Sequence, residues 1–283
     1  MSCVKIVEID ILAATRMKTI SLLGSGWLGL ALNRHYQKQS VQVKTSTRTQ
    51  KKINQLKEAG TIPYLVDIED QSADIQEFLD CDVLIVNITS KNISSYVELI
   101  FNMEASKVRH VLFVSSSSVY KNINDVVKES DGVENINSPL YQIEKLFMDN
   151  PHFQTTVVRM AGLIGPARHP GRFFRKGKGV EQPKSPVNLI HQTDCVNIIS
   201  QIIEQKVWDE TFNACASTHP TKQDFYGQAK QCLGEPVANF IETNKSEFKI
   251  VCNQKVRQFL NYEFIYDDLM SLVTSSEQSA FEA

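Results

Sequence analysis

The chain has no excess of charge of either sign: 30 Lys and Arg stand against 32 Asp and Glu, a formal net charge of −2 over 283 residues. Such a balance gives no general electrostatic drive towards nucleic acid or an anionic membrane surface, so neither is an expected partner. Nor is there an apolar run near the roughly 18 residues that a membrane-spanning helix requires. The six cysteines, Cys3, Cys81, Cys195, Cys215, Cys232 and Cys252, form no Cys-x-x-Cys pair, and none has histidine at zinc-finger spacing. They read as reduced thiols of a cytoplasmic protein, and no structural metal is expected. Low-complexity linkers and internal repeats are absent as well. What remains, 42% hydrophobic and 22% charged, is the composition of a globular fold.

Residues 1–16 precede the first apolar strand. They lack the basic head and continuous apolar core of a secretory signal, and read as a disordered or added N-terminal extension, with Met17 a natural start. Residues 274–283 read as a polar, frayed tail. Between these ends, strand and helix alternate. Strands are expected at residues 18–23, 41–46, 62–66, 82–87, 110–115 and 155–159, and helices at 28–37, 51–59, 74–80, 94–105 and from 141 to 148. That alternation specifies an α/β fold: a Rossmann-type, doubly wound parallel sheet covered on both faces by right-handed crossovers. Residues 17–161 would form this dinucleotide-binding domain. Residues 162–273 would form mainly a smaller C-terminal substrate-binding lobe, with some segments returning to the sheet.

The first strand runs into Gly24-Ser25-Gly26-Trp27-Leu28-Gly29 and on into an apolar helix. In such a Gly-x-Gly-x-x-Gly loop the first glycine makes the tight turn. The second lets backbone approach a pyrophosphate, and the third lets helix and strand pack closely. The helix start then offers free N–H groups and positive dipole to the phosphates. Gly24, Gly26, Trp27, Leu28 and Gly29 are therefore candidate cofactor-binding residues.

After the second strand, where NAD-specific proteins carry an acidic residue for the ribose 2′-hydroxyl, this chain reads Ser46-Thr47-Arg48, followed by Lys51 and Lys52. A guanidinium suits a 2′-phosphate, so NADP is favoured and NAD is the other candidate. The plainer reading of Arg48 is a solvated helix start. Asp67 and Ile68, after the third strand, would contact the adenine amino group or merely make a turn. Asn87 and Thr89, after the fourth, would lie on the cofactor path or again make a turn.

A serine-rich segment, Ser115-Ser116-Ser117-Ser118-Val119-Tyr120, follows the fifth strand. Further on, Tyr141 and Lys145 share one helix face at i, i+4. An ammonium beside a phenol favours phenolate and lowers its pKa from about 10, which equips a tyrosine to move a proton near neutral pH. A serine hydroxyl at the strand end could bond the same substrate oxygen. The basic loop from Arg168 to Gly179 could clamp an anionic substrate group or simply be solvated. His191 and Asp194 read as structural, since no Gly-x-Ser-x-Gly elbow accompanies them.

With Arg159-Met160-Ala161-Gly162-Leu163-Ile164-Gly165-Pro166 and Asn188-Leu189-Ile190-His191-Gln192-Thr193-Asp194, these motifs resemble the short-chain dehydrogenase/reductase superfamily. The likeness is greatest to its NAD-dependent epimerase/dehydratase group, in the extended or atypical branch. The resemblance implies Ser116, Tyr141 and Lys145 as catalytic residues. Tyr141 would be the acid/base, and Lys145 its electrostatic partner and a ligand of the nicotinamide ribose. It implies an NAD(P)-dependent oxidoreductase passing hydride to or from a hydroxyl or keto carbon of a sugar-like or small carbonyl substrate, in a monomer or homodimer. The alternative is a non-catalytic NAD(P)-binding sensor or scaffold. Leu23 stands where the extended branch usually has glycine, which points to the atypical branch. Lys121 replaces a glycine after Tyr120. The segment after Gly162 is shorter than in typical nucleotide-sugar enzymes.

Overall fold

The computed structural model describes residues 19–70, 74–174, 179–236, 239–243, 247–274 and 278–282. The expected N-terminal extension, residues 1–16, lies outside them. Seven strands form the central sheet: β1 (Thr19–Leu23), β2 (Gln42–Thr47), β3 (Ile62–Leu65), β4 (Val83–Val86), β5 (His110–Ser116), β6 (Gln154–Met160) and β7 (Thr211–Ala214). Their order is β7-β6-β5-β4-β1-β2-β3, the doubly wound arrangement in which the winding reverses between β1 and β4. The pairs β1–β2, β1–β4, β2–β3 and β6–β7 are parallel.

By internal contacts the chain divides into two compact units, with boundaries other than residue 161. The first takes the chain through Thr89, then Ser94–Val111 and Pro151–Phe153; the second takes the remainder.

In the first unit β4 is the apolar run Val83-Leu84-Ile85-Val86, buried throughout, as a parallel strand covered on both faces must be. β3 includes Pro63 and sits at the sheet edge, where a missing N–H is tolerated. β2 is polar yet buried, and its side chains are individually satisfied. Thr45 and Thr61 hydroxyls lie 2.7 Å apart. Lys44, only 7% exposed, donates to the carbonyls of Glu77 and Asp80 at 2.6 and 2.8 Å. The expected helix at 74–80 is shorter, Gln76–Leu79.

In the second unit three two-stranded parallel pairs accompany the sheet strands: Gly162–Ile164 with Leu189–His191, Val180–Glu181 with Phe240–Ile241, and Val126–Val127 with Ile250–Val251. A separate apolar core forms around Ile164, Leu189, Phe225, Leu269 and Leu272. The polar tail contributes to that core. Gln278–Phe281 makes a 3-10 turn, Ala280 and Phe281 are buried, and the Phe281 carbonyl accepts from Ala167 N–H at 3.2 Å. Fraying is thus not what the described tail residues do, because Ala280 and Phe281 supply apolar surface that the core covers.

Candidate functional site

In the first unit the glycine loop is shaped by contacts that only glycine permits. Gly24 has φ +114°, and a Cβ there would stand 2.3 Å from the Asn87 carbonyl oxygen. A Cβ on Gly29 would stand 2.0 Å from the Gly24 carbonyl oxygen and 3.2 Å from Asn87 Nδ2. The turn and the close packing assigned to the first and third glycines are therefore present, and Asn87 is the residue that the loop closes against. Gly26 differs: a Cβ there would meet nothing within 4 Å. It is exposed, and it caps the Trp27–Gln37 helix, whose first turn holds no acidic side chain. Trp27 is half-buried and Leu28 buried. An uncrowded helix start with no acidic side chain in its first turn fits a pyrophosphate.

The β2 end divides its residues between structure and solvent. Ser46 Oγ accepts the Gly24 N–H at 2.9 Å, so β2 holds the loop directly. Thr47 Oγ1 accepts from Thr49 N–H at 3.2 Å. Arg48, Lys51 and Lys52 are exposed, and the Lys52–Glu58 helix that follows has no acid in its first turn. Asp67 makes the turn that its alternative reading describes, with Oδ1 accepting from Glu69 N–H at 3.1 Å. Asp67 and Ile68 also line a small hollow with Leu99 and Asn102. Thr89 is exposed.

In the second unit the serine segment ends β5 and turns through a short 3-10 helix, Ser117–Val119. Ser116 Oγ accepts the Ser118 N–H at 3.1 Å, which leaves its own O–H to donate outward. Tyr141 and Lys145 lie on the Pro139–Met148 helix, with proline in its first turn where the missing N–H does no harm. The Lys145 ammonium pairs with Asp149 Oδ1 at 2.7 Å, one turn on, with both side chains substantially exposed. The cation over the Tyr141 ring is Arg159, whose guanidinium carbon is 5.8 Å from the ring centroid.

Arg159 belongs to a buried polar network that the sequence reading passed over. It is 3% exposed, and its partner Glu144 is 0% exposed. Nε lies 3.2 Å from both Glu144 carboxylate oxygens, and Nη2 is 2.8 Å from Oε2. Nη1 donates to Glu134 Oε1 at 2.5 Å and to the Tyr120 hydroxyl at 2.7 Å. That hydroxyl donates onward to Asn213 Oδ1 at 2.9 Å, and the Ser115 hydroxyl donates to Glu144. Burial pushes the Tyr120 phenol up to about 12 against the pull of Arg159. Burial likewise holds Glu144 above the usual carboxylate range, opposed by Arg159 and Ser115. Burial draws the Arg159 guanidinium down, but Glu144 and Tyr120 outweigh it and hold the group above its ordinary value.

Next to the serine turn is a pocket of about 350 Å³ whose lining includes Ser116, Ser118, Asn188, Lys222, Tyr226 and Lys249. The basic loop from Arg168 to Gly179, read in the sequence as an anion clamp or a solvated segment, is described only in part. Among that loop's described residues, Gly171 packs on the Ala229 backbone, and the Phe174 ring meets the Tyr226 ring at 4.8 Å. His191 and Asp194 are structural. His191 Nδ1 accepts from Thr193 N–H, and the buried Asp194 carboxylate accepts from Tyr262 O–H, Ile265 N–H and Tyr266 N–H.

A protein family described as NAD(P)H-binding matches residues 24–194. Protein YeeZ of Escherichia coli K12 is 30% identical over 270 residues, covering 89% of this chain and 97% of YeeZ. Among solved structures, a conserved protein of unknown function from Silicibacter pomeroyi superposes with a TM-score of 0.77 at 18% identity, covering 94% of this chain and all of the other. UDP-glucuronic acid 4-epimerase from Bacillus cereus, solved with UDP-glucuronic acid and NAD, superposes with a TM-score of 0.73 at 17% identity, covering 92% and 98%. In the described residues no helix is long and apolar enough to cross a membrane.

Proposed function

We propose that this chain, which belongs to the NAD(P)H-binding family, is an NAD(P)-dependent oxidoreductase of the epimerase/dehydratase type, with NADP the preferred coenzyme. Its substrate would be a small molecule with a hydroxyl or keto carbon, sugar-like or a simple carbonyl compound. The observation that carries the reading is the glycine loop: Gly24 and Gly29 lie where a Cβ would strike backbone, while Gly26 faces open space.

The coenzyme's phosphates would be held by the loop from Gly24 to Gly29, including Trp27 and Leu28, and by the helix N–H groups. Asn87, Thr89, Asp67 and Ile68 would complete its binding. Arg48, exposed and followed by two lysines, would take the 2′-phosphate. A bound nicotinamide coenzyme supplies or accepts the hydride. Tyr141 would move the proton of the reacting hydroxyl, with Ser116 donating its free O–H to the same oxygen. Lys145 would serve both the phenol and the nicotinamide ribose on leaving Asp149, a surface pair of the kind worth at most about 1 kcal/mol.

Tyr141→Phe should leave NADPH affinity within about twofold while lowering turnover by roughly 10² to 10⁴. Full turnover in that variant would refute the role. Lys145→Met should lower both turnover and coenzyme affinity. A second reading, a non-catalytic NAD(P)-binding sensor or scaffold, draws on the Lys145–Asp149 pair, which engages the ammonium elsewhere. Partner capture dependent on NADPH, with no turnover of any carbonyl or sugar substrate, would favour it.

A further inference from the structure

We propose that the pocket beside the serine turn is an oxyanion subsite, in which Lys222 and Lys249 hold one phosphoryl or carboxylate group of the substrate. The proposal rests on the oxidoreductase reading above and narrows its substrate to a compact hydroxy or carbonyl compound bearing such a group.

Both ammonium groups are half-buried, and both are bonded to neutral oxygens. Lys249 Nζ donates to the Tyr120 carbonyl at 2.9 Å and to Asn122 Oδ1 at 3.1 Å. Lys222 Nζ donates to the Glu181 carbonyl at 3.0 Å. Three donors on each ammonium therefore leave one on Lys249 and two on Lys222 for a ligand. Among the described residues no Asp or Glu lines the pocket. For Lys249, bonded to neutral oxygens, leaving water is expensive unless an anion arrives, whereas Lys222 has the Glu181 carboxylate as a partial counter-charge. Burial lowers the pKa of both lysines, offset for Lys222 by the Glu181 carboxylate.

Lys222 is placed against the local dipole as well. It is the first residue of the Lys222–Cys232 helix, an end that favours negative charge. Asp224 answers part of that field, but its carboxylate accepts from the Thr221 hydroxyl. Tyr226, one turn along the same helix, and Ser116, whose O–H is the group assigned to the reacting oxygen, both line the pocket. The pocket thus joins two cations with the candidate catalytic serine. Its volume of about 350 Å³ is at the lower end of the roughly 300–1,000 Å³ of ligand clefts, which suits a compact anion.

Trace acetylation of the full chain with acetic anhydride, read lysine by lysine by mass spectrometry, tests the subsite. Inorganic phosphate and acetate serve as probes, added at constant ionic strength against chloride, with NADP⁺ in excess. At least one probe should protect Lys222 and Lys249 together and saturably, at concentrations at least about tenfold below any effect on exposed lysines such as Lys107 and Lys184. Phosphate alone, acetate alone or both would each support the subsite and identify the group. Lys249→Gln should weaken protection of Lys222 by about tenfold or more, and Lys222→Gln should do the same to Lys249, consistent with the strength of hydrogen bonds to charged groups. NADPH affinity should be unchanged in both variants. Protection no better than at the exposed lysines, or protection of each lysine indifferent to loss of the other, would overturn the proposal. Paired protection in a protein that binds no NADPH would uphold the subsite and remove the oxidoreductase reading.

Discussion

Arg159 and Glu144 form a bidentate ion pair in which the two side chains are 4% and 0% exposed. The pair ties three elements together. Glu144 comes from the helix that bears Tyr141 and Lys145, Arg159 from β6, and Ser115, which also donates to Glu144, from the end of β5 next to Ser116. Its geometric role is to fix the tyrosine helix against the serine strand within the second unit. The net contribution of such a buried ion pair to stability is often small.

Removing one partner is different from removing both. Arg159→Met leaves Glu144 buried without its cation and should lower unfolding free energy by about 3–5 kcal/mol, measured by urea denaturation. Replacing both, Arg159→Met with Glu144→Met, should recover part of that loss, because the Glu144 charge is gone while the buried Glu134 still lacks its Arg159 partner. A double variant as unstable as the sum of the singles would show that the network, and not the uncompensated charge, sets the loss.

Stability should also depend on pH through Glu129. Its carboxylate accepts the Asn213 N–H at 2.7 Å, and burial raises its pKa above the ordinary 4.5. Between 4.5 and that raised value the folded state binds more protons than the unfolded one, so this group's contribution falls as pH rises through the window. Glu129→Gln keeps an acceptor for Asn213 and has no charge to bury. Denaturation curves from pH 4.5 to 7.5 should therefore decline less in the variant than in the wild type.

The sheet was legible because short strands, apolar as in Val83–Val86 or alternating as in Gln42–Thr47, are separated by glycine and polar turns. The glycine loop was legible because Gly24 and Gly29 answer local steric demands and Gly26 completes the spacing. The charge network was harder to read, since Tyr120, Glu134, Glu144, Arg159 and Asn213 are scattered over 94 positions and meet only in the folded unit. Two signals existed. Arg159 interrupts the apolar residues Val157, Val158 and Met160 of β6, and Glu144 sits between the buried Ile143 and Phe147; charged residues on apolar faces are rarely buried unless paired. Lys222 and Lys249 carried no such mark, because lysine at a helix start or in a loop is ordinary until a cavity is seen beside it.

The three glycines should separate folding from binding. Gly26→Ala adds a Cβ into open space at a helix cap with φ −76°, so stability should change by less than about 1 kcal/mol. Coenzyme affinity should nevertheless fall by tenfold or more, as the methyl group blocks approach to the backbone. Gly29→Ala drives a Cβ to 2.0 Å from the Gly24 carbonyl oxygen and should destabilise the fold itself. Thermal melts and NADPH fluorescence titrations on the two variants distinguish these outcomes.

Under the proposed function, Arg48 would select the coenzyme. It is exposed just after β2, where the segment Ser46-Thr47-Arg48 carries no acidic residue, and among the described residues it has no ion-pair partner. A guanidinium bonded to a 2′-phosphate contributes roughly 1.5–3 kcal/mol. Arg48→Gln should therefore weaken NADPH binding by about 10- to 150-fold. NADH, lacking that phosphate, should bind the variant within about twofold of the wild type. Lys51 and Lys52 remain in the variant, so some preference should persist, and it should shrink as ionic strength rises because exposed charges are screened over about 8–10 Å. Wild-type protein that binds NADH as tightly as NADPH would remove the role of Arg48, leaving it as the solvated start of the next helix.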